Sequence, residues 1–239
     1  MKKLLFTVLL ASIAFTAPYA QKTINDLHAQ KREVSSFHSI EVSTGILLVL
    51  TEGEKEEVAV SASSEEFRDK IVSRVENGVL KLYYENKVGS VNKQKEIKDL
   101  KAYVSYKSIK SLNVNTGAEV QVDGTLNGND LKISANTGAI ISGKIKVAVL
   151  KVDQNTGSKI TLSGTAVKME VSGDTGSKFT GSELETEVCN ASVRTGAIIS
   201  VNAQKELIAK ANTGGNIRYK GEAAVKNIKK NTGGSVTKI

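Results

Sequence analysis

Apolar and polar residues alternate along most of the chain, and the alternation restarts at a recurring turn. Counting back from Thr137, the second, fourth and sixth residues are Ala135, Ile133 and Leu131; from Thr156 they are Gln154, Val152 and Leu150. The same places hold Gly173, Val171 and Met169 before Thr175, Val193, Ala191 and Cys189 before Thr195, and Ala211, Ala209 and Leu207 before Thr213. Four residues after each Thr stand Val120, Ile141, Ile160, Phe179, Ile199, Ile217 and Val236, with no polar member. A period of two on both sides of a turn predicts two short strands with one buried face; helical spacing fits none of these columns.

The turn is Asn-Thr-Gly. Its Thr–Gly pairs are Thr116 and Gly117, Thr137 and Gly138, Thr156 and Gly157, Thr175 and Gly176, Thr195 and Gly196, Thr213 and Gly214, and Thr232 and Gly233. Successive Thr are 21, 19, 19, 20, 18 and 19 residues apart. A fixed period near this length marks a solenoid, in which each repeat stacks on the last. Side chains that fill one column stack about 4.8 Å apart along the axis. The fold class is therefore all-β, a single-chain parallel β-helix. Gly after Thr supplies a positive φ, and the column two residues past Thr is small throughout, from Ala118 to Gly234. A second set of glycines, Gly124, Gly143, Gly164, Gly181 and Gly221, marks a further corner. The residue before Thr is Asn except in two successive copies, Asp174 and Arg194; stacked one rung apart, these two form an ion pair.

Three segments precede the regular coils. Met1-Lys2-Lys3, an apolar run from Leu4 to about Phe15 and small residues up to Ala20 read as a signal peptide, residues 1–20, cleaved after Ala20. Residues 21–33 are a polar, poorly ordered leader. Residues 34–110 hold a first coil around Ser43-Thr44-Gly45, a strand over 58–62, a helical turn over 63–70, a hairpin with Asn77-Gly78 at its tip, a lysine-rich loop over 87–99 and a strand over 100–106. They cover the N-terminal end of the solenoid. Regular coils fill 111–239, and Lys226, Lys230 and Lys238 in the last one discourage another chain from pairing there.

Residues 34–239 resemble the head GIN domain family, also called putative auto-transporter adhesin. The Gly-Ala and Gly-Gly turns at this period, the strand Phe37-His38-Ser39-Ile40-Glu41-Val42, and Tyr219-Lys220-Gly221 followed by a final Thr-Gly-Gly turn carry the likeness. The resemblance implies a right-handed β-helix of exported Bacteroidota proteins, and no catalytic motif.

Charge and chemistry narrow the function. The net charge is +8, or +6 without Lys2 and Lys3, but the lysines are scattered and there are only five Arg, so nucleic acid is not an expected partner. Cys189 sits in a core column and forms no internal disulfide, since it is the single Cys. His28 and His38 stand apart, so no metal site, cofactor or Ser–His couple is expected. The acids are few and out of register; Glu183, Glu185 and Glu187 share one face as a solvated edge. One Thr per repeat falls short of the paired ranks of an ice-binding face. Alternation turns Tyr83 and Tyr103 outward in the cap, candidates for stacking on a sugar. The expected function is an exported, non-enzymatic adhesin-like or structural module of the cell envelope. Its ligand is polysaccharide or a cell-surface protein, and no later segment is long and apolar enough to be a transmembrane helix. The alternatives are a carbohydrate-active enzyme on the same scaffold and an envelope assembly or stress factor.

Overall fold

The computed structural model describes residues 26–85 and 97–239; the expected signal peptide, the start of the leader and most of the lysine-rich loop lie outside them. In chain order the elements are β1 (Gln30–Arg32), β2 (Ser39–Val42), β3 (Leu47–Glu52), β4 (Glu57–Ser61), α1 (Glu65–Asp69), β5 (Ile71–Glu76), β6 (Val79–Tyr84), β7 (Lys101–Tyr106) and β8 (Ser111–Val114). The long strands β9 (Glu119–Ala135), β10 (Ile140–Gln154), β11 (Lys159–Gly173), β12 (Lys178–Val193) and β13 (Ile198–Ala211) follow, then β14 (Asn216–Lys220), β15 (Ala224–Lys230) and β16 (Ser235–Lys238). Each long strand runs from one Thr–Gly corner to the next and pairs in parallel with its sequence neighbours, so that Ile141 stacks between Val120 and Ile160. The solenoid is a β-helix, as the period requires.

The corner is a tight turn with its own ladder. Ala118 N–H donates to the Asn115 carbonyl at 3.1 Å, and Thr116 and Gly117 have φ of 51° and 68°. Positive φ at both central positions is the signature of a type I′ turn. The sequence reading assigned positive φ to Gly alone; Thr shares it at all eight corners, Thr44 included. The reason lies in the neighbouring rung. Gly117 N–H donates to the Thr137 carbonyl at 2.9 Å, Gly138 N–H to that of Thr156 at 3.0 Å, and so on to Gly214 and Thr232. The turn peptides thus align with the solenoid axis, and the ladder runs unbroken through the corner. Of the second-corner glycines, Gly124, Gly164 and Gly221 take positive φ, whereas Gly143 and Gly181 do not. At Gly164 a Cβ would collide with the Ile145 carbonyl.

The core is a set of stacked columns. Ile141, Ile160, Phe179, Ile199 and Ile217 are all buried, as are Leu131, Leu150, Met169, Cys189 and Leu207. Each such aliphatic side chain contributes about 1.5–3 kcal/mol before entropy is counted.

At the N-terminal end, chain order and spatial order diverge. The coil around Thr44 is not the outermost rung: β2 pairs in parallel with both β8 and β6, and β3 with both β9 and β7. The later strands β6 and β7 fold back as a rung beneath it. Antiparallel β5 covers β6, antiparallel β4 covers β7, and β1 adds to β4. The hairpin and helical turn stand where the sequence places them, with Ser64 capping α1 by accepting from Phe67 N–H at 3.3 Å. The leader differs from the expected loose segment: Gln30–Arg32 form a strand. At the other end, a register shift sets Val225 opposite Leu207 and Asn227 opposite Ile208. Val225 therefore takes the ladder place expected for Lys226, whose side chain lies outside the described part.

Two outcomes follow from the columns and corners. Ile160→Asp puts an unpaired carboxylate into the fully buried column, a cost comparable with the about 5–15 kcal/mol that holds a domain together. It should abolish the cooperative thermal transition; a soluble variant with unchanged melting would refute the inward assignment. Thr156→Asn replaces a β-branched residue at φ 47° with one that tolerates left-handed backbone, and should stabilise by up to about 1 kcal/mol. That corresponds to a rise in melting temperature of about 2–4 °C for a chain of this size, read by circular dichroism.

Candidate functional site

The eight corners make one edge of the molecule. Thr44, Thr116, Thr137, Thr156, Thr175, Thr195, Thr213 and Thr232 are exposed along it, each with its Gly. The Asn column runs beside them. Asn136 Nδ2 donates to Asn115 Oδ1 at 3.2 Å, and Asn231 Nδ2 to Asn212 Oδ1 at 3.0 Å, so the amides form short ladders of their own. Midway the column changes character: Arg194 Nε lies 3.3 Å from Asp174 Oδ2, the ion pair expected from stacking. Asp174 Oδ1 also accepts from Thr175 N–H at 2.8 Å.

A third rank, three residues before each Thr, completes the strip. It reads Glu41, Asn113, Ser134, Asp153, Ser172, Ser192, Lys210 and Lys229, and Ser172 Oγ donates to Asp153 Oδ1 at 2.8 Å. A cleft of about 220 Å³ opens between this rank and the Asn column, lined by Ser134, Asn136, Asp153, Asn155, Ser172, Asp174, Ser192 and Arg194, with Gln154 and Gly173. Sequence reasoning found the two exceptions in the Asn column but not Asp153, Ser172 and Ser192. Their polarity every second residue was the available signal, and it reads as ordinary solvent-facing alternation until the turn brings the two ranks side by side.

The interior beneath the cleft is also unusual. The Gln154 amide and the Ser158 and Ser177 hydroxyls are buried with no hydrogen-bond partner among the described residues. Gly173 makes the room: a Cβ there would lie 3.3 Å from Gln154 Nε2 and 3.1 Å from Ser177 Oγ.

The outward tyrosines stand elsewhere. Leu80, Leu82 and Tyr84 are buried on β6 and Ala102, Val104 and Tyr106 on β7, leaving Tyr83 and Tyr103 half-buried on the outer faces. The Arg74 guanidinium lies 5.6 Å from the Tyr83 ring centroid. Tyr103 donates its hydroxyl to Asp26 Oδ2 at 2.9 Å. Burial, then this bond, pushes the Tyr103 phenol up to about 12. The two lie on different strands of the cap, β6 and β7, and do not converge with the cleft.

Other chemistry is spoken for. Glu183 and Glu187 face outward and pair with Lys220 at 3.0 Å and Lys205 at 2.7 Å, while Glu185 is exposed between them. Burial pushes the Cys189 thiol up to about 12, which leaves it un-ionised near neutral pH. His28 is exposed; His38 is exposed with Nδ1 3.0 Å from Ser39 Oγ. Among the described residues no three His, Cys, Asp or Glu side chains gather as a metal site, and no helix is long and apolar enough to cross a membrane.

A hydrogen bond from Thr195, opposed by partial burial and aided by Thr175 N–H and Arg194, holds the Asp174 carboxyl below its ordinary 3.8. A depressed folded value stabilises above the unfolded one and is lost as pH falls through the folded one. Relative to Asp174→Asn, the native chain should be more stable at neutral pH by at most about 1 kcal/mol. This advantage should hold from pH 7 down to about 5 and fade in more acid solution, followed by thermal melts across that range.

Comparison with known proteins agrees with this architecture. The profile of the family described as "Putative auto-transporter adhesin, head GIN domain" matches residues 36–223. A putative adhesin of Bacteroides fragilis superposes with a TM-score of 0.79 at 18% identity, over 88% of this chain and 96% of that one. A putative lipid binding protein of Parabacteroides distasonis gives 0.69 at 18%, over 88% and 96%, and a putative adhesin of Parabacteroides merdae 0.70 at 17%, over 88% and 95%. At such identities the likeness is one of fold. No curated protein matches the sequence. On the family match over most of its length, the chain belongs to the head GIN domain family of putative auto-transporter adhesins.

Proposed function

We propose that the chain is an exported, non-enzymatic, adhesin-like module of the cell envelope whose corner strip binds polysaccharide. One observation carries the reading: exposed Thr is kept at left-handed backbone in all eight corners, although Asn, Asp or Gly fits such a position at lower cost. The ladder requires the left-handed conformation but not a β-branched residue in it, and strain accepted at every corner by the choice of Thr points to function. The strip offers hydroxyls, amides and one ion pair at a repeat of about 4.8 Å, a rigid ruler for a ligand that is itself a repeating chain of hydroxyls. Planar Asn, Asp and Arg groups suit paired hydrogen bonds to neighbouring hydroxyls, and charged members make the stronger ones.

Binding without cleavage fits the same residues. A general acid in glycoside hydrolysis has a raised pKa, whereas Asp174 is held ionised and paired with Arg194. Asp153 accepts from Ser172. The export reading rests on residues 1–20 and the family.

The test is retention of the chain, residues 21–239, on an array of bacterial and host polysaccharides at physiological salt, with released sugar measured in parallel. Saturable retention without release is expected. Arg194→Ala with Thr175→Ala should weaken it at least about tenfold, about 1.4 kcal/mol. Tyr83→Ala with Tyr103→Ala should leave it unchanged. Loss in the tyrosine variant alone would move the site to the cap, and released oligosaccharide would make the protein an enzyme.

A further inference from the structure

The two ends of the solenoid are finished differently. At the N-terminal end antiparallel β5, β4 and β1 are laid across the first rung, and the sheet ends in β5 and β1 rather than in a parallel rung. At the C-terminal end, β15 pairs only with β13 and β16 only with β14. Among the described residues nothing lies on their outer edges. A row of free N–H and C=O groups is a template for another strand.

The core is open there too. Ile228 continues an inward column whose preceding members, Ala191 and Ala209, are fully buried, yet it is 41% exposed. Lys230 stands under the buried Ala211, in an inward place, and is exposed. Lys229 extends the outward rank directly beside Lys210, and Lys238 lies under Tyr219. Lys238 Nζ lies 4.0 Å from Glu222 Oε1. The rim of the open rung is thus apolar at its centre and cationic around it.

Charge decides what fits. A second copy docking by the same end sets these lysines against themselves. A second copy docking by its N-terminal end presents a face of mixed charge, in which Lys31 and Arg74 are already paired with Glu57 at 3.2 Å and Glu76 at 3.0 Å. Same-end docking opposes like charges, which is how edge strands are kept from polymerising, and head-to-tail docking brings paired rather than free carboxylates of β4 and β5 to the lysines. The same lysines favour a strand that carries carboxylates. We propose that the C-terminal rung is a docking edge for an acidic, extended segment of a partner protein, which adds as a further strand on β15 and β16. Main-chain bonds give the affinity, an apolar side chain covers Ile228, and flanking acids meet Lys229, Lys230 and Lys238.

The probes are three fluorescent octapeptides, alternating Val with Glu, with Gln or with Lys, titrated into the chain by anisotropy. The Val-Glu peptide should bind at least about tenfold more tightly than the other two. It should slow amide exchange in 224–230 and 235–238, and weaken between 0.1 and 1 M salt as the screening length falls from about 10 to 3 Å. Lys229→Glu with Lys230→Glu should transfer the preference to the Val-Lys peptide. If that pair alters the melting profile, Lys229→Gln with Lys230→Gln should abolish the preference instead. Lys144→Glu with Lys146→Glu, on the wall far from this rung, is the control for diffuse attraction and should change nothing. Equal affinity for the three peptides, unchanged exchange in 224–230 and 235–238, or equal loss in the control would overturn the proposal. Concentration-dependent dimers in light scattering would instead make a second copy the occupant.

Discussion

Every rung depends on one local conformation, the Thr–Gly pair in left-handed backbone. A solenoid wall is stable only if its peptide groups point along the axis, because each rung is donor to one neighbour and acceptor from the other. A corner threatens that rule, since a reversal usually turns its peptides sideways. Here the turn keeps them in line, and the bond from each Gly N–H to the next Thr carbonyl carries the ladder through. The strain at Thr is therefore held in place by the rungs on either side.

From that constraint comes the division of labour across the wall. Inside, the columns must match rung by rung, and they do: aliphatic after aliphatic, with small residues beside the corner. Outside, any residue is tolerated, and the strip beside the corner departs from its Asn pattern at two successive rungs. Asp174 replaces Asn at the rung of Ser177, between the rung where Gln154 and Ser158 flank Asn155 and the rung of Arg194, so the polar interior and the altered column are neighbours. A repeat serving stacking alone has no need for these substitutions, which is why this segment carries the functional reading.

The ends express the same physics in opposite ways. A parallel stack leaves an edge at each end; the chain continues one into antiparallel strands and rims the other with lysines. Charge on an edge strand favours one kind of added strand over another.

Much of this was legible because a β-helix is local in one dimension: period and alternation assign each side chain to a column without knowledge of any distant contact. The strands, the buried columns, the coil around Thr44, the hairpin at Asn77-Gly78 and the Asp174–Arg194 pair all follow from counting. What counting does not reach is where a segment goes once it leaves the period. The strands Val79–Tyr84 and Lys101–Tyr106 return beneath the first coil, and Gln30–Arg32 join the sheet at that end through Glu57–Ser61; sequence order carries no trace of the choice. Nor does it disclose that Thr shares the positive φ, for that is imposed by the carbonyl direction the next rung demands. The repeat by itself determined the walls, the columns and the stacking of the corners. Only the tertiary structure decided the order of rungs at the N-terminal end, the left-handed Thr, and the union of two polar ranks into a cleft, because each depends on hydrogen bonds or contacts between strands far apart in the chain.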